Sequence, residues 1–238
     1  MYQVVIIGAG PVGGRLATEL ASRGISTLMI EEHAEIGRPF QCAGLVNPPA
    51  MQMVGLEDTI LQNVDGALIH SPSGIMVPVG TDGRVRTHVV CRKKFDQAVV
   101  AQAMEAGAHL WLLSKPIDAE VVKDGVNIKV EREGEIVDLK CNLLVGADGA
   151  HSWTRRYFKM GRPKEMMIGF QTDVSGLSGK DNWLEMYTGR DIAPGLFAWV
   201  IPTGNNTHRI GVWSRPQDLD GRSVEECYDS LISHPLWK

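Results

Sequence analysis

Three glycines near the start of the chain, Gly8, Gly10 and Gly13, stand in Gly8-Ala9-Gly10-Pro11-Val12-Gly13 at the spacing G-x-G-x-x-G. The chemistry this spacing can do is to grip a pyrophosphate. The first glycine permits a tight turn, the second lets phosphate oxygens approach the backbone, and the third lets a helix pack closely on the preceding strand. A helix opening at Pro11 and Val12 would offer unpaired N–H groups and the positive end of its dipole to the anion. Glu31 follows Gly13 by 18 residues, where an acid can accept hydrogen bonds from a ribose, and its neighbour Glu32 is expected to point away. Glycine turn and acid together indicate a dinucleotide site rather than a merely tight turn. Cys42 is a second reactive type, either a proton donor or a small residue filling a tight loop. His70, His151 and His208 are weaker candidates, because isolated histidines are mostly structural or exposed. Cys42, Cys91, Cys141 and Cys227 form no Cys-x-x-Cys, and His-Glu-x-x-His is absent, so no metal site is expected.

The elements that must hold these residues follow from the pattern. Val4 to Ile7 is a β-branched run suited to a parallel strand covered on both faces. Val12, Leu16, Ala17, Leu20 and Ala21 recur at helical spacing, Gly24 suits the helix end, and Ile25 to Ile30 is a second strand. Residues 35–60, rich in Gly and Pro, read as loop with one short helix. A hairpin is expected near 65–78 around Ser71-Pro72-Ser73-Gly74. A strand at 88–91 leads to a helix over about 93–106, and another strand follows at 110–113. A meander is expected at 117–122, 126–131 and 135–140, with turns at Asp124-Gly125 and Glu133-Gly134. Leu143 to Val145 reads as a separate buried strand. Beyond about 165 come longer strands bearing aromatic residues.

Composition sets the bounds. The 238 residues carry 24 Lys plus Arg and 28 Asp plus Glu, a net charge of -4, with 44% hydrophobic residues. These values exclude whole-chain disorder, collagen and coiled coil. The chain has no basic stripe, which argues against a nucleic-acid partner. Widely spaced thiols fit a reducing compartment, so a cytoplasmic location is expected. The start lacks a basic leader region and no window of about 18 apolar residues exists, so no span is expected, while contact with a membrane surface stays open. The length suggests one and a half domains.

Family resemblance adds to this reading. Gly146-Ala147-Asp148-Gly149-Ala150-His151-Ser152, with Arg155 beyond it, resembles a motif of FAD enzymes of the p-hydroxybenzoate hydroxylase class. Arg92-x-x-Phe95-Asp96 resembles the arginine that opens the third helix of that class and contacts the flavin nucleotide. Read alone, Asp148 could cap a turn and Arg92 could pair with a glutamate. The resemblance implies an α/β chain: a Rossmann-like FAD-binding domain with an interleaved, partly antiparallel β-sheet substrate domain. The expected bounds are 1–165 for the first, with the 65–78 hairpin lent to the substrate sheet, and 166–238 for an incomplete second. FAD is the implied cofactor. Its implied contacts are Gly8, Gly10, Pro11, Val12, Gly13, Glu31, Cys42, Ala43, Gly44, Arg92, Ile117, Asp148 and Gly149.

Two further segments narrow the class. Ile36-Gly37-Arg38-Pro39-Phe40-Gln41-Cys42-Ala43-Gly44 resembles the cysteine loop that lies near the flavin in the geranylgeranyl reductase family. Phe197-Ala198-Trp199-Val200-Ile201-Pro202, then eight residues and Gly211-Val212-Trp213, resembles that family's Tyr-x-Trp-x-Phe-Pro-x8-Gly-x-Gly signature. Phe197, Ile201 and Trp213 depart from it, and a tryptophan in place of the last glycine would narrow a pocket. The resemblance implies reduction of isolated C=C bonds of prenyl chains, in archaeal membrane lipids or chlorophyll precursors. Cys42 would be the catalytic residue, and Phe197, Trp199, Pro202 and Gly211 would bind substrate. NAD(P)H or a reduced ferredoxin-type protein would be the electron donor. Period-2 alternation puts Phe197, Trp199 and Ile201 on one strand face, either a wall for a prenyl chain or an ordinary packed sheet. Two alternatives stand beside this: an aromatic-ring monooxygenase of the same fold, and a catalytically incomplete flavin-binding fragment. The second rests on the absence of a later Gly-Asp-Ala motif, from which weak FAD binding is expected.

Overall fold

The structure is a computed structural model and describes residues 1–40, 42–177 and 180–234. In chain order the elements are β1 Tyr2–Ile7, α1 Pro11–Ala21, β2 Thr27–Ile30, β3 Leu45–Val46, α2 Pro48–Val54, β4 Ile60–Val64, β5 Gly66–His70 and β6 Met76–Val79. There follow β7 Thr87–Val90, α3 Arg92–Glu105, β8 His109–Trp111, β9 Ser114–Val122, β10 Gly125–Arg132, β11 Glu135–Gly146 and α4 Trp153–Tyr157. The last are β12 Ile168–Ser175, β13 Trp183–Gly189, β14 Ala193–Gly204, β15 Thr207–Ser214 and α5 Val224–Ile232. The chain divides into two compact units, Met1–Gln41 with Arg92–Arg162, and Cys42–Cys91 with Pro163–Lys238.

The first unit is built on one six-stranded sheet, ordered β8-β2-β1-β11-β10-β9. β1 lies parallel to β2 and to β11, while β11, β10 and β9 run antiparallel. Val4 to Ile7 are buried on both faces, as their unbroken β-branched run requires. Val4, Ile6 and Met29 pack with Ala17 of α1 and Val100 and Ala103 of α3. Val5, Ile7, Leu28 and Ile30 share the other cluster with Ile128 and Val130 of β10. The expected helix at 93–106 is α3, starting at Arg92. One expectation is corrected. The third meander strand and the strand at 143–145 are a single strand, β11, of 12 residues. Polar Lys140 and Asn142 break the apolar run, yet Cys141 pairs with Val126 on one side and Tyr2 on the other. There the strand passes from an antiparallel partner to a parallel one, which is why the pattern looked interrupted.

The second unit has a six-stranded sheet ordered β12-β15-β14-β13-β5-β6 and a small sheet β3-β7-β4. The expected hairpin is β5–β6, and β5 joins β13 in parallel. The division of the chain differs from the expected one, because all of 42–91, not the hairpin alone, clusters with the later strands. The reason is packing: Val64 of β4 and Val89 of β7 bury against Ile201 of β14. The stretch 35–60 is also more structured than its Gly and Pro content suggests, with β3, α2 and the start of β4 within it. Asn47 caps α2 by accepting from Ala50 N–H at 2.9 Å.

α5 has no counterpart in the sequence reading. Ser223 and Glu226 form a reciprocal capping box, and Cys227, Tyr228 and Leu231 bury against Ala198, Val200, Ile210 and Val212. Thr172 Oγ1 and Tyr228 Oη, 2.5 Å apart, join β12 to α5. The signal was available as Ser-x-x-Glu before apolar residues at helical spacing. Among the described residues, no helix is long and apolar enough to cross a membrane.

Candidate active site

The glycine turn joins β1 to α1. Gly8 has φ +96°, and a Cβ there would lie 2.5 Å from Ala147 O. A Cβ on Gly13 would lie 2.0 Å from Gly8 O, so strand and helix approach as closely as the third glycine allows. Gly10 differs: its φ is -75°, and a Cβ there would meet nothing within 4 Å. This open cradle faces the start of α1, where Gly10 provides no side-chain cap and Pro11 occupies the first turn. The N-terminal N–H groups are thus left for an external acceptor. Val12 is 71% exposed, consistent with a residue that faces this opening.

Glu31 sits at the end of β2. Its Oε2 accepts from Ala9 N–H at 3.0 Å, which draws the carboxylate to the glycine turn. Its Oε1 accepts from His33 N–H at 3.1 Å and lies 2.5 Å from His33 Nδ1. Sequence reasoning missed His33; a polar residue two positions after the acid was the only sign. Glu32 is exposed, as expected. The Gly146–Gly149 turn is brought against the glycine turn, with Ala147 N–H donating to Ile7 O at 2.7 Å. Asp148 Oδ2 accepts from Thr154 N–H at 2.9 Å and Thr154 Oγ1 at 3.0 Å. Burial pushes the Asp148 carboxyl up, but hydrogen bonds from Ser152 and Thr154 outweigh it and hold the group below its usual range. A depressed folded-state pKa adds stability that is complete above the unfolded value and fades as pH falls through the folded one. Asp148→Ala should therefore cost about 1–2 kcal/mol at neutral pH, in the range of a lost helix cap, with the deficit shrinking below about pH 4. Denaturant melts at two pH values check this.

Arg92 opens α3 and pairs with Asp96, Nε to Oδ1 at 3.0 Å and Nη2 to Oδ2 at 2.9 Å. The pair is bidentate and largely buried, and burial raises the Asp96 carboxyl despite Arg92. The partner is thus an aspartate one turn on, not a glutamate. Ile117 is half-exposed at the bulge in β9, where Pro116 and Asp118 pair with successive residues Val130 and Lys129. A groove of about 440 Å³ on β9–β11, formed by Asp118, Glu120, Asn127 and Lys129 among others, is lined by none of the expected site residues.

Cys42, Ala43 and Gly44 fall in the second unit. Cys42 is exposed, and Gly44 O accepts from Val90 N–H of β7 at 2.8 Å. Ala43 packs in one cluster with Trp199 and Ile201. Phe197, Trp199 and Trp213 meet edge to face, with ring centroids 5.3–6.5 Å apart. Trp213, in the position of the family's last glycine, therefore completes an aromatic cluster. Ala198 and Val200 point the other way, into the α5 core, as the period of 2 demands. Gly211 has a specific reason: a Cβ there would lie 2.3 Å from Trp199 Cζ2, so the indole ring lies across it. Pro202 is buried at the end of the same strand. His70 belongs elsewhere. It stacks on Tyr187 at 4.4 Å, with Nε2 3.1 Å from Glu185, and burial and Glu185 push the Tyr187 phenol well up. His208 is buried and His151 exposed.

A β–α–β unit with an open glycine cradle and an acid at the end of β2 defines a dinucleotide-binding α/β protein, and its meander and second sheet place it in the p-hydroxybenzoate hydroxylase-type flavoprotein fold. The FAD binding domain family matches residues 1–234, and the chain belongs to that family. It is 33% identical over 232 residues to digeranylgeranylglycerophospholipid reductase of Methanocaldococcus jannaschii, covering 94% of this chain and 58% of that protein. The enzyme of the same name from Picrophilus torridus is 31% identical, covering 98% and 62%. Among solved structures, a geranylgeranyl bacteriochlorophyll reductase-like protein of Thermoplasma acidophilum superposes with a TM-score of 0.88 at 26% identity, covering 98% of this chain and 62% of that one. The chain thus spans about three fifths of the length of these relatives. FAD is the cofactor, and the first unit suits its adenosine half: the cradle at Gly10 is open, α1 lacks a side-chain cap, and Glu31 is drawn to the turn.

Proposed function

We propose that the protein is an FAD-dependent reductase of isolated C=C bonds in polyprenyl lipids of the digeranylgeranylglycerol type. The observation that carries this reading is the aromatic wall of Phe197, Trp199 and Trp213, with Ile201 and Ala43 of the cysteine loop packed into the same apolar surface. An unactivated alkene offers no polar handle, so apolar and aromatic surface must hold it. Relatives named for this reaction match 94% and 98% of the chain at 33% and 31% identity.

FAD, when bound and reduced, would supply the hydride for one alkene carbon. The chain's residues do the rest. With FAD bound, Gly8, Gly10, Pro11, Val12 and Gly13 would hold the pyrophosphate against the start of α1, and Glu31 would hold the ribose. Arg92, Ile117, Asp148 and Gly149 would complete the nucleotide contacts, and Cys42, Ala43 and Gly44 would add those that the family resemblance implies for the cysteine loop. Phe197, Trp199, Pro202 and Gly211 line the prenyl chain and exclude water. Cys42 gives its thiol proton to the second alkene carbon and regains one from solvent. NAD(P)H or a reduced ferredoxin-type protein would be the electron donor, and the prenyl lipid would be met at a membrane surface. The test is anaerobic: protein with reduced FAD is mixed with digeranylgeranylglycerol phospholipid, and flavin absorbance is followed. Reoxidation by this lipid but not by its saturated counterpart is expected, and Cys42→Ser should slow it by about 10²-fold or more, the usual weight of a positioned proton donor. Equal reoxidation rates with both lipids would reject the reading.

A further inference from the structure

Arg209 is an arginine on β15 with a side chain only 4% exposed. A buried guanidinium is costly unless each of its donors is answered. Its Nε donates to Asp173 Oδ1 at 2.8 Å and its Nη2 to Asp173 Oδ2 at 3.2 Å, across the β12–β15 pair. That bidentate pair answers two of the five guanidinium donors. The third bond goes elsewhere: Nη1 donates to Ala43 O at 2.8 Å, 166 residues away in sequence. The next carbonyl, Gly44 O, accepts from Val90 N–H. Two consecutive carbonyls of the cysteine loop are therefore fixed from different elements, and Ala43 itself packs on the buried Val64, Val89 and Ile201 cluster, as Trp199 does. The side chain left outside this grip is Cys42, which is exposed.

We infer that Arg209 is a positioning residue, clamping the Cys42–Ala43–Gly44 loop onto the aromatic sheet and so setting where the Cys42 thiol stands. The sequence around Gly211 gives no hint of it, since the contact lies between distant segments. The role rests on the reading of Cys42 as proton donor, but the geometry of the clamp does not.

Hydrogen exchange read by mass spectrometry on the 238-residue chain, without cofactor or lipid, tests it. Arg209→Met should raise exchange of the amides in 42–47 and of Val90 severalfold, with 224–232 and β14 unchanged. Arg209→Lys, which keeps the charge and one donor, should recover part of the protection. Asp173→Asn should have a smaller effect, because the bond to Ala43 survives. Unchanged exchange over 42–47, or faster exchange spread evenly through β12–β15 and α5, would overturn the proposal. Failure of lipid reduction with the exchange pattern intact would instead strike the reductase reading and leave the clamp standing.

Discussion

Gly10→Ala should leave the fold intact and weaken FAD binding, while Gly13→Ala should damage both. The two glycines are three residues apart, yet their surroundings are opposite. A methyl on Gly10 meets no protein atom within 4 Å, and its φ of -75° suits alanine. The space it would fill is the space the pyrophosphate needs. Forcing a methyl into occupied volume costs about 1–3 kcal/mol, or roughly five- to 150-fold in Kd. A methyl on Gly13 would stand 2.0 Å from Gly8 O, a backbone atom that cannot rotate away. Helix α1 would have to lift from β1, opening the cluster around Ala17, Val4 and Ile6. A loss near 3 kcal/mol is expected, which for a chain of this size lowers Tm by roughly 6–12 °C. Thermal melts and quenching of flavin fluorescence, run on both variants, check the contrast. Equal loss of stability in the two would refute the cradle assignment.

Gly211→Ala carries the second large effect, and it acts on the aromatic wall. The new methyl would lie 2.3 Å from Trp199 Cζ2 and 2.8 Å from Gln171 Cβ. The indole is the movable partner, so it should swing off the sheet and break its contacts with Phe197 and Trp213. Overpacking of this kind costs about 1–3 kcal/mol. A double-mutant cycle isolates the cause: in a Trp199→Ala background only the approach to Gln171 Cβ remains, so Gly211→Ala should cost less by a coupling of roughly 1 kcal/mol or more. Additive losses would mean that the glycine is needed for something other than the ring. On the proposed function the single variant should also raise KM for prenyl lipid more than it lowers kcat, because the wall binds rather than reacts.

Much of this architecture is legible in the sequence because local rules and global fold agree. β1, α1, β2 and the acid Glu31 each carry their own signal, and the structure joins them in the order read. The alternation of Phe197, Trp199 and Ile201 matches the structure in that Ala198 and Val200 between them pack on the α5 side. Failures occur where a residue serves two partners or where the partner is remote. β11 was split because Cys141 lies where one strand changes neighbours. The 42–91 segment meets the later strands through the burial of Val64 and Val89 on Ile201, which leaves no local pattern. Arg209 reads as an ordinary charged residue two positions before a glycine, and its bond to Ala43 is invisible until the chain is folded. Asp148 was read as a flavin contact, with a turn cap as the plainer alternative, and its hydrogen bonds to Thr154 realise the cap.

The mass of the lipid product is the most direct test of the central claim. Protein, FAD and a chemical reductant are incubated with digeranylgeranylglycerol phospholipid, and the recovered lipid is weighed by mass spectrometry. The account predicts addition of two hydrogens for each double bond reduced, without oxygen and without dependence on air. A lipid that gains oxygen, only in air, would make the protein a monooxygenase of the same fold, and a lipid of unchanged mass would contradict prenyl reduction altogether.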